Sequence, residues 1–192
     1  KVRGLVAFLD LAYQGFGEGL AEGGAAVQQF VASGMDFFVA TSFSKSFSLY
    51  GERVGALSVV CADKDEAARV LSQLKIAVRT NYSNPPIHGA QVVTTVLTTP
   101  ALRAQWEEEL AGMRLRIREM RSALARGLKA AGVTSDLSYI TRQKGMFSYS
   151  GLTQAQMQRL RAEYAVYGVD SGRICVAALN HNNLPGVIKA IV

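Results

Sequence analysis

One unusually long apolar stripe in the second half of the chain restricts the fold more than any other feature. Apolar residues recur there in steps of three or four, at Leu102, Trp106, Leu110, Met113, Ile117, Met120, Leu124 and Leu128. This spacing places them on one face of an α-helix, and Pro100 and Gly132 suit its two ends. Because the helix is too long for one small globule, we predict that 101–131 connects two domains, 1–100 and 132–192.

Short apolar runs precede this helix and alternate with helical patterns. The strands are predicted at 5–9, 37–40 and 54–61. The first run suits a strand that is buried on both faces of a parallel sheet. Helices are predicted at 25–32, from an N-cap at Asp63 to about residue 78, and after Pro86 to about residue 97.

After the long helix the same alternation continues with shorter elements. Strands are predicted near 146–149 and 173–176, and helices near 153–164 and 183–192. The order of elements therefore predicts an α/β fold, with a mostly parallel sheet domain followed by a smaller α+β domain.

Charge and composition exclude several classes of protein. The chain has 192 residues and a net charge of +6, but only 19% of its residues are charged, which does not fit a disordered chain. Basic residues between Arg103 and Lys129 alternate with glutamates, as on a solvated helix face, so we expect no nucleic-acid partner. No apolar run approaches the roughly 18 residues of a membrane span, and we expect neither a membrane segment nor a secretory leader.

Cysteine and histidine provide no sign of a disulfide framework or a metal site. Cys61 and Cys175 are the only two cysteines, which fits a reducing compartment, so a cytoplasmic location is expected. His88 and His181 show no metal-ligand spacing with each other or with the cysteines. Five glycines between positions 15 and 24 do not form a phosphate-binding pattern and are interpreted as a flexible loop.

A lysine among hydroxyl groups follows the second predicted strand. Lys45 lies within TSFSKS, and Arg53 comes eight positions later, just before the third strand. A lysine near low-dielectric surroundings can lose its proton and attack a carbonyl carbon to form a Schiff base. Ser42, Ser44 and Arg53 are residue types that bind phosphate. These are the components of a pyridoxal phosphate site, although an exposed loop with a solvated Lys and Arg explains this segment equally well.

A carboxylate marks the end of the first predicted strand. Asp10 at this position would point toward the crevice where parallel sheets bind ligands, and it could keep a pyridine nitrogen protonated. Tyr13 could donate to a phenolate oxygen on the same ring. Taken alone, Asp10 is better explained as a cap of the following turn.

Six segments together resemble the aspartate and aromatic-amino-acid aminotransferases, which are fold-type I enzymes dependent on pyridoxal phosphate. They are DLAYQGF at 10–16, SFSK at 42–45, LYGERVG at 49–55, NYSNPP at 81–86, GMFS at 145–148 and SGR at 171–173. The resemblance extends from about Leu5 to the end of the chain. It implies that 1–100 is the C-terminal part of the large cofactor-binding domain and that 132–192 is the small domain.

The resemblance also implies a role for individual residues. Lys45 resembles the lysine that binds the cofactor covalently and then moves the substrate Cα proton. Asp10 resembles the partner of the pyridine nitrogen and Tyr13 the donor to the ring oxygen, while the phosphate is expected to bind Ser42, Ser44 and Arg53.

Three further residues are expected to bind the substrate. Arg173 resembles the arginine that binds the α-carboxylate, and Phe147 resembles an aromatic residue that lines the pocket. Arg79 resembles the arginine that enters the neighbouring subunit's site to bind a side-chain carboxylate. This implies a homodimer with shared active sites and, as substrates, amino acids and 2-oxo acids.

Alternatives remain at this point. An aromatic-amino-acid aminotransferase is favoured because 47–51 and 173–177 look more like that branch, and an aspartate aminotransferase is the alternative. A lyase or decarboxylase, or the effector domain of a transcription regulator, is also compatible with the fold. The family's first half, which completes the cofactor site, has no match here. We therefore expect the chain, beginning at Lys1, to be part of a longer enzyme and to bind cofactor poorly on its own.

Overall fold

The computed structural model describes residues 3–192, and these form two compact units. The first comprises the residues up to Gly15 together with Gly19–Glu109, and the second comprises Phe16–Glu18 and Leu110–Val192. Lys1 and Val2, with which the sequence opens, lie outside the described residues. The division of the chain into a cofactor-binding part, a connecting helix and a small domain stays a prediction.

The first unit combines three strands with helices. In chain order its elements are β1 (Ala7–Leu11), α1 (Leu20–Gly23), α2 (Ala25–Ala32), β2 (Phe37–Ser42), β3 (Gly55–Val60), α3 (Lys64–Tyr82), α4 (His88–Thr98) and the start of α5 (Pro100–Ala130). The predicted bounds of α2 are confirmed. The predicted N-cap of α3 is also confirmed, because Asp63 Oδ1 accepts a hydrogen bond of 2.7 Å from the Glu66 amide. The four-residue helix α1 lies where only a flexible glycine loop was expected.

The strand order in the first unit is β1-β2-β3. β1 and β2 are parallel, with Asp10 opposite Ala40, whereas β3 runs antiparallel to β2. The antiparallel direction of β3 agrees with its connection to β2, which contains a 3₁₀ turn at Tyr50–Glu52 but no α-helix of the kind that usually forms a crossover between parallel strands. Gly55 permits the close start of β3, since a Cβ there would lie 2.7 Å from the Thr41 carbonyl oxygen.

Within residues 3–192 the first strand is not buried on both faces. Phe8 on β1 is 61% exposed, and Leu5 just before the strand is 70% exposed. β1 has β2 as its strand neighbour on one side within residues 3–192, so its other edge and part of its surface have no cover there. The core instead lies at β2, where Phe37 is fully buried and packs against Phe30 of α2 with ring centroids 5.4 Å apart.

The long helix α5 confirms the apolar stripe and corrects its details. The residues of the stripe that are buried are Leu110, Ile117, Met120, Leu124 and Leu128, and all of them belong to the second unit. Leu102 and Met113 are 40% and 37% exposed. Periodicity identifies the face of a helix, but the neighbours that cover each turn decide whether that face is buried.

The second unit completes the chain with short elements. They are α6 (Ser138–Arg142), β4 (Phe147–Tyr149), α7 (Gln154–Tyr164), β5 (Arg173–Cys175) and α8 (Leu184–Ile191). β4 and β5 form an antiparallel pair in which Tyr149 lies opposite Arg173. Thr153 caps α7 through a reciprocal capping box with Gln156. No helix within residues 3–192 is long and apolar enough to cross a membrane.

Candidate functional site

The predicted cofactor residues of the first unit come from one end of its sheet. Asp10 lies next to the last residue of β1, and Ser42 is the last residue of the parallel strand β2. The antiparallel strand β3 begins at Gly55, which is paired with Ser42. Arg53, two residues before Gly55, therefore lies near the end of β2. The strand register therefore brings three separate sequence segments to one edge of the sheet, where parallel sheets bind ligands.

Lys45 lies in a tight turn directly after β2. The Phe47 amide donates to the Phe43 carbonyl over 3.2 Å, and the Ser48 amide donates to the Lys45 carbonyl over 3.2 Å. The Lys45 side chain is half-buried, and its Nζ lies 4.6 Å from the centroid of the Tyr13 ring. The structure thus brings together two predicted site residues that are 32 positions apart in sequence. The ammonium group of a lysine is attracted to the face of an aromatic ring, which favours this position.

The hydroxyl groups and Arg53 flank this turn. Ser44 is buried, and its amide donates to the Ser42 Oγ over 3.2 Å. Arg53 is exposed, and its Nη1 donates to the Tyr50 carbonyl over 3.0 Å. The Arg53 backbone has φ 53°, in the left-handed region that a non-glycine residue adopts only at a cost. Hydroxyl and guanidinium groups are donors to a phosphate, so this donor set fits the cofactor that the sequence indicates.

Arg173 and Phe147 form a second arrangement, within the second unit. They lie on the paired strands β5 and β4, and the Arg173 guanidinium carbon lies 4.8 Å from the centroid of the Phe147 ring. Arg173 is exposed, and no carboxylate of residues 3–192 forms a salt bridge with it. Gly172 has φ 85°, and a Cβ there would lie 2.7 Å from the Leu152 carbonyl oxygen. The result is a guanidinium that lies over an aromatic ring and can donate hydrogen bonds to a carboxylate ligand.

A buried arginine supports this arrangement and was missed by the sequence reasoning. Arg121 of α5 is only 3% exposed, so the interpretation of all basic residues of this helix as a solvated face is wrong for it. Its guanidinium donates to the carbonyls of Ile140, Gly145 and Phe147 and to the Ser148 Oγ, over 2.7 to 3.1 Å. Burial lowers the pKa of Arg121, although a guanidinium stays protonated in proteins.

The sequence did contain a signal for Arg121. The residue comes four positions after Ile117 and three before Leu124, so it falls on the apolar stripe rather than on the charged face. A cation at such a position must find acceptors inside the protein, since an isolated buried charge is costly. Arg121 finds them along the segment that carries Phe147.

Arg79 lies in the last turn of α3. Its Nη1 donates to the Ser83 Oγ over 2.7 Å, and the side chain is exposed. The structure therefore associates Arg79 with the end of its own helix. Its predicted contact with a partner subunit stays a prediction.

The segment after Tyr13 is held by ionic and polar contacts in the second unit. Lys144 forms a salt bridge with Glu18, and Arg118 donates to the Gly17 carbonyl over 3.2 Å. The hydrogen bond and positive charge of Lys144 hold the pKa of Glu18 below its ordinary value. These contacts attach residues 16–18 to α5 and to the segment just before β4.

No group of three or more His, Cys, Asp and Glu residues within 3–192 is arranged to hold a metal ion. His181 lies 3.5 Å from the carboxylate of Glu119 on the surface. Cys61 and Cys175 are free thiols.

Comparisons with known proteins give a consistent result. A family model described as "Aminotransferase class I and II" matches residues 1–191. An aspartate aminotransferase of Pseudomonas aeruginosa is 62% identical over 192 residues, which are 100% of this chain and 48% of that protein. A tyrosine aminotransferase of Klebsiella pneumoniae is 53% identical over 192 residues, again 100% of this chain and 48% of the relative.

A solved structure agrees with these relatives. The crystal structure of an aromatic-amino-acid aminotransferase from Burkholderia pseudomallei, described as covalently bound to pyridoxal phosphate, matches with a TM-score of 0.97 and 62% identity. The match covers 99% of this chain and 48% of that one. The chain spans about half the length of the curated relatives it matches.

Proposed function

Because the chain belongs to the class I and II aminotransferases, we propose that its protein moves an amino group from an L-amino acid to a 2-oxo acid with pyridoxal phosphate. Enzymes of this family act on amino acids and 2-oxo acids. The observation that carries the proposal is the position of Lys45, whose Nζ lies 4.6 Å from the Tyr13 ring at the end of the sheet. The relatives that are described above are named as aminotransferases, which supports an enzyme rather than a transcription regulator.

The residues at the sheet end fit pyridoxal phosphate by their chemistry. Lys45 would bind it covalently, and Asp10 and Tyr13 would hold its ring nitrogen and ring oxygen. Ser42, Ser44 and Arg53 would hold its phosphate. When bound, the cofactor supplies an electron sink for the negative charge that develops at the substrate Cα.

The chain's own residues would then perform three tasks. Arg173 would bind the substrate α-carboxylate through two parallel hydrogen bonds, and Phe147, whose ring lies 4.8 Å from the Arg173 guanidinium carbon, would line the pocket. Lys45 would remove the proton from the substrate Cα as a general base. Asp10 would keep the pyridine nitrogen protonated. Water would release the first 2-oxo acid while the amino group stays on the cofactor, and a second 2-oxo acid would receive that group in the reverse sequence, which is a ping-pong reaction.

Reductive trapping tests the assignment of Lys45. The full-length protein is incubated with pyridoxal phosphate, reduced with borohydride and digested, and the modified peptide is identified by mass spectrometry. We expect the modification on Lys45 and expect Lys45→Ala to lower turnover by at least about 100-fold. Lys75→Ala on the exposed face of α3 is the matched control and should keep full turnover. Modification of another lysine, or full turnover without Lys45, would refute the proposal.

For the substrate we propose aromatic amino acids, with aspartate as the alternative. The aromatic choice is supported by segments 47–51 and 173–177, whereas the relative at 62% identity is an aspartate aminotransferase. The test is kcat/KM of the full-length protein for tyrosine, phenylalanine and aspartate. Higher values for the two aromatic substrates are expected, and a clear preference for aspartate would favour the alternative.

We further propose a homodimer in which Arg79 contributes to the partner's site. Arg79→Leu should lower kcat/KM for aspartate by about 10- to 100-fold, because a charged hydrogen bond to the side-chain carboxylate is lost. Mixing Lys45→Ala subunits with Arg79→Leu subunits tests whether sites are shared. Hybrid dimers would contain one complete site, so about a quarter of the wild-type activity should return. No recovery would place both residues in the same subunit's site.

A cytoplasmic location is also proposed. It is supported by the two free thiols of Cys61 and Cys175, which fit a reducing compartment. Fractionation of cells that express the full-length protein would test it, and recovery outside the cytoplasm would overturn it.

A further inference from the structure

Trp106 of α5 contacts the turn that carries Lys45. The indole Nε1 donates to the Ser46 carbonyl over 2.7 Å, across 60 positions of sequence. The indole ring also stacks on the Phe47 ring, with centroids 4.6 Å apart and an interplanar angle of 18°. Trp106 therefore binds the two residues that immediately follow Lys45, one through its backbone and one through its side chain.

These contacts complete the fixation of the turn. On the side that precedes Lys45, the Phe43 amide donates to the Val54 carbonyl over 3.2 Å, which attaches the turn to the start of β3. The Phe43 ring packs edge-on against Phe47, with centroids 5.5 Å apart. After Lys45, the contacts described here that join the turn to α5 are the two made by Trp106 with Ser46 and Phe47. Without that attachment, residues 46–48 would keep only hydrogen bonds within the turn.

The hydrogen bond also provides a donor for the Ser46 carbonyl, whose burial without a partner would cost free energy. Ser46 is buried, with 9% of its surface exposed, so its carbonyl has little access to water. An indole N–H is a donor only and matches such an acceptor. Packing on the apolar stripe explains why a large ring lies in α5, but it does not explain a hydrogen bond to this particular carbonyl.

We propose that Trp106 is a positioning residue for Lys45, and this inference rests on the proposed function. By fixing the backbone after Lys45, it keeps the Nζ above the Tyr13 ring, where the amine can move the substrate Cα proton. Proton transfer is sensitive to such positioning, since a displacement of about 1 Å can cost about 100-fold in rate. Trp106 itself does not contact substrate or cofactor in this role.

Trp106→Phe tests the proposal in the full-length enzyme, because phenylalanine keeps a stacked ring and removes the donor. We expect kcat to fall by about 3- to 10-fold, which corresponds to one neutral hydrogen bond. KM for both substrates should stay within about 2-fold, since the substrate-binding residues are untouched. The isotope effect on kcat with Cα-deuterated amino acid should increase, because proton transfer becomes slower relative to the other steps. A purely structural role would lower stability without changing this isotope effect.

Two further variants keep the test decisive. Phe47→Leu removes the stack and keeps the hydrogen bond, so it should change kcat and the isotope effect in the same direction, and it decides the matter if Trp106→Phe does not fold. Leu102→Met is the control, since Leu102 is an exposed residue of the same stripe and should have no effect on either quantity. Wild-type kcat and isotope effect in both test variants would overturn the role of Trp106. A wild-type enzyme without transaminase activity would instead overturn the proposed function, and this inference with it.

Discussion

Replacing Arg121 with methionine tests whether a buried guanidinium holds β4 and the segment before it. Methionine has a similar length and no donors, so the substitution removes all four hydrogen bonds while leaving most of the volume filled. Three of the acceptors are backbone carbonyls, one of which belongs to Phe147 beneath the Arg173 guanidinium. We therefore expect the substitution to affect both the stability of the second unit and the arrangement of Arg173 and Phe147 that is proposed to bind substrate.

The expected loss of stability follows from the burial of these groups. Each charged hydrogen bond contributes about 1.5–3 kcal/mol, but contributions within one network are not additive. Removing one member of a buried network typically costs about 3–5 kcal/mol because the remaining polar groups lose their partners. We expect about 3–5 kcal/mol for Arg121→Met, since the residue is 3% exposed. Arg121→Lys keeps the charge but not the planar fork, so its loss should be smaller but still measurable.

Hydrogen exchange is the appropriate assay because the chain has two compact units, and exchange reports the stability of each segment separately. Amides of β4 and β5 in the full-length protein should exchange faster in Arg121→Met, whereas amides of β2 should not. KM for the amino acid should increase because Phe147 is no longer held beneath Arg173. Arg126→Met, an exposed arginine of the same helix, is the matched control and should change stability by less than about 0.5 kcal/mol.

If Arg121→Met is as stable as Arg126→Met and its β4 amides exchange at the wild-type rate, the reasoning is refuted. The hydrogen bonds of Arg121 would then contribute nothing beyond what methionine packing replaces. A loss of stability without any change in KM would limit the role of Arg121 to the folding of the second unit.

Three smaller perturbations test other contacts. Gly172→Ala should destabilise the second unit by about 1–3 kcal/mol and raise KM for the amino acid, because of its φ of 85° and the close Leu152 carbonyl, whereas Gly186→Ala has open space and should not. Thr153→Ala should cost about 0.5–2 kcal/mol through loss of the capping box, measured by exchange of the α7 amides, and an unchanged rate would contradict that. The pKa of Glu18, followed by carboxyl NMR, should lie below its ordinary value and rise in Lys144→Met. Because the folded-state pKa is lowered, any stability from this pair is present above the ordinary carboxyl pKa and lost as the pH falls through the folded value, and an unshifted pKa would refute the pairing.

Helical periodicity and capping could be read from the sequence with good accuracy. The bounds of α2, the N-cap Asp63 and the long helix all follow from local patterns, because a helix satisfies its own backbone hydrogen bonds. Strand direction and burial could not be read in this way. The apolar run of β3 has no feature that distinguishes parallel from antiparallel pairing, and the exposure of Phe8 depends on which neighbours cover it.

In the candidate site, too, the types of the residues could be predicted from the sequence, whereas contacts between distant residues could not. The residue types at Asp10, Lys45 and Arg53 indicated the chemistry, and the strand register explains why they share one end of the sheet. The sequence did not reveal that Trp106 donates to the Ser46 carbonyl or that Arg121 donates to the Phe147 carbonyl of β4, because both contacts join residues far apart in sequence. The roles themselves were taken from six resembling segments, and physical reasoning from the residues alone left alternatives open.

The most direct test of the central claim is transfer of labelled nitrogen. The full-length protein is supplied with pyridoxal phosphate, an amino acid whose amino group carries a heavy nitrogen isotope, and 2-oxoglutarate, and the products are analysed by mass spectrometry. We expect the label to appear in glutamate at a rate that falls by at least about 100-fold in Lys45→Ala. Absence of label in glutamate with tyrosine, phenylalanine and aspartate alike, or undiminished transfer by Lys45→Ala, would contradict the account.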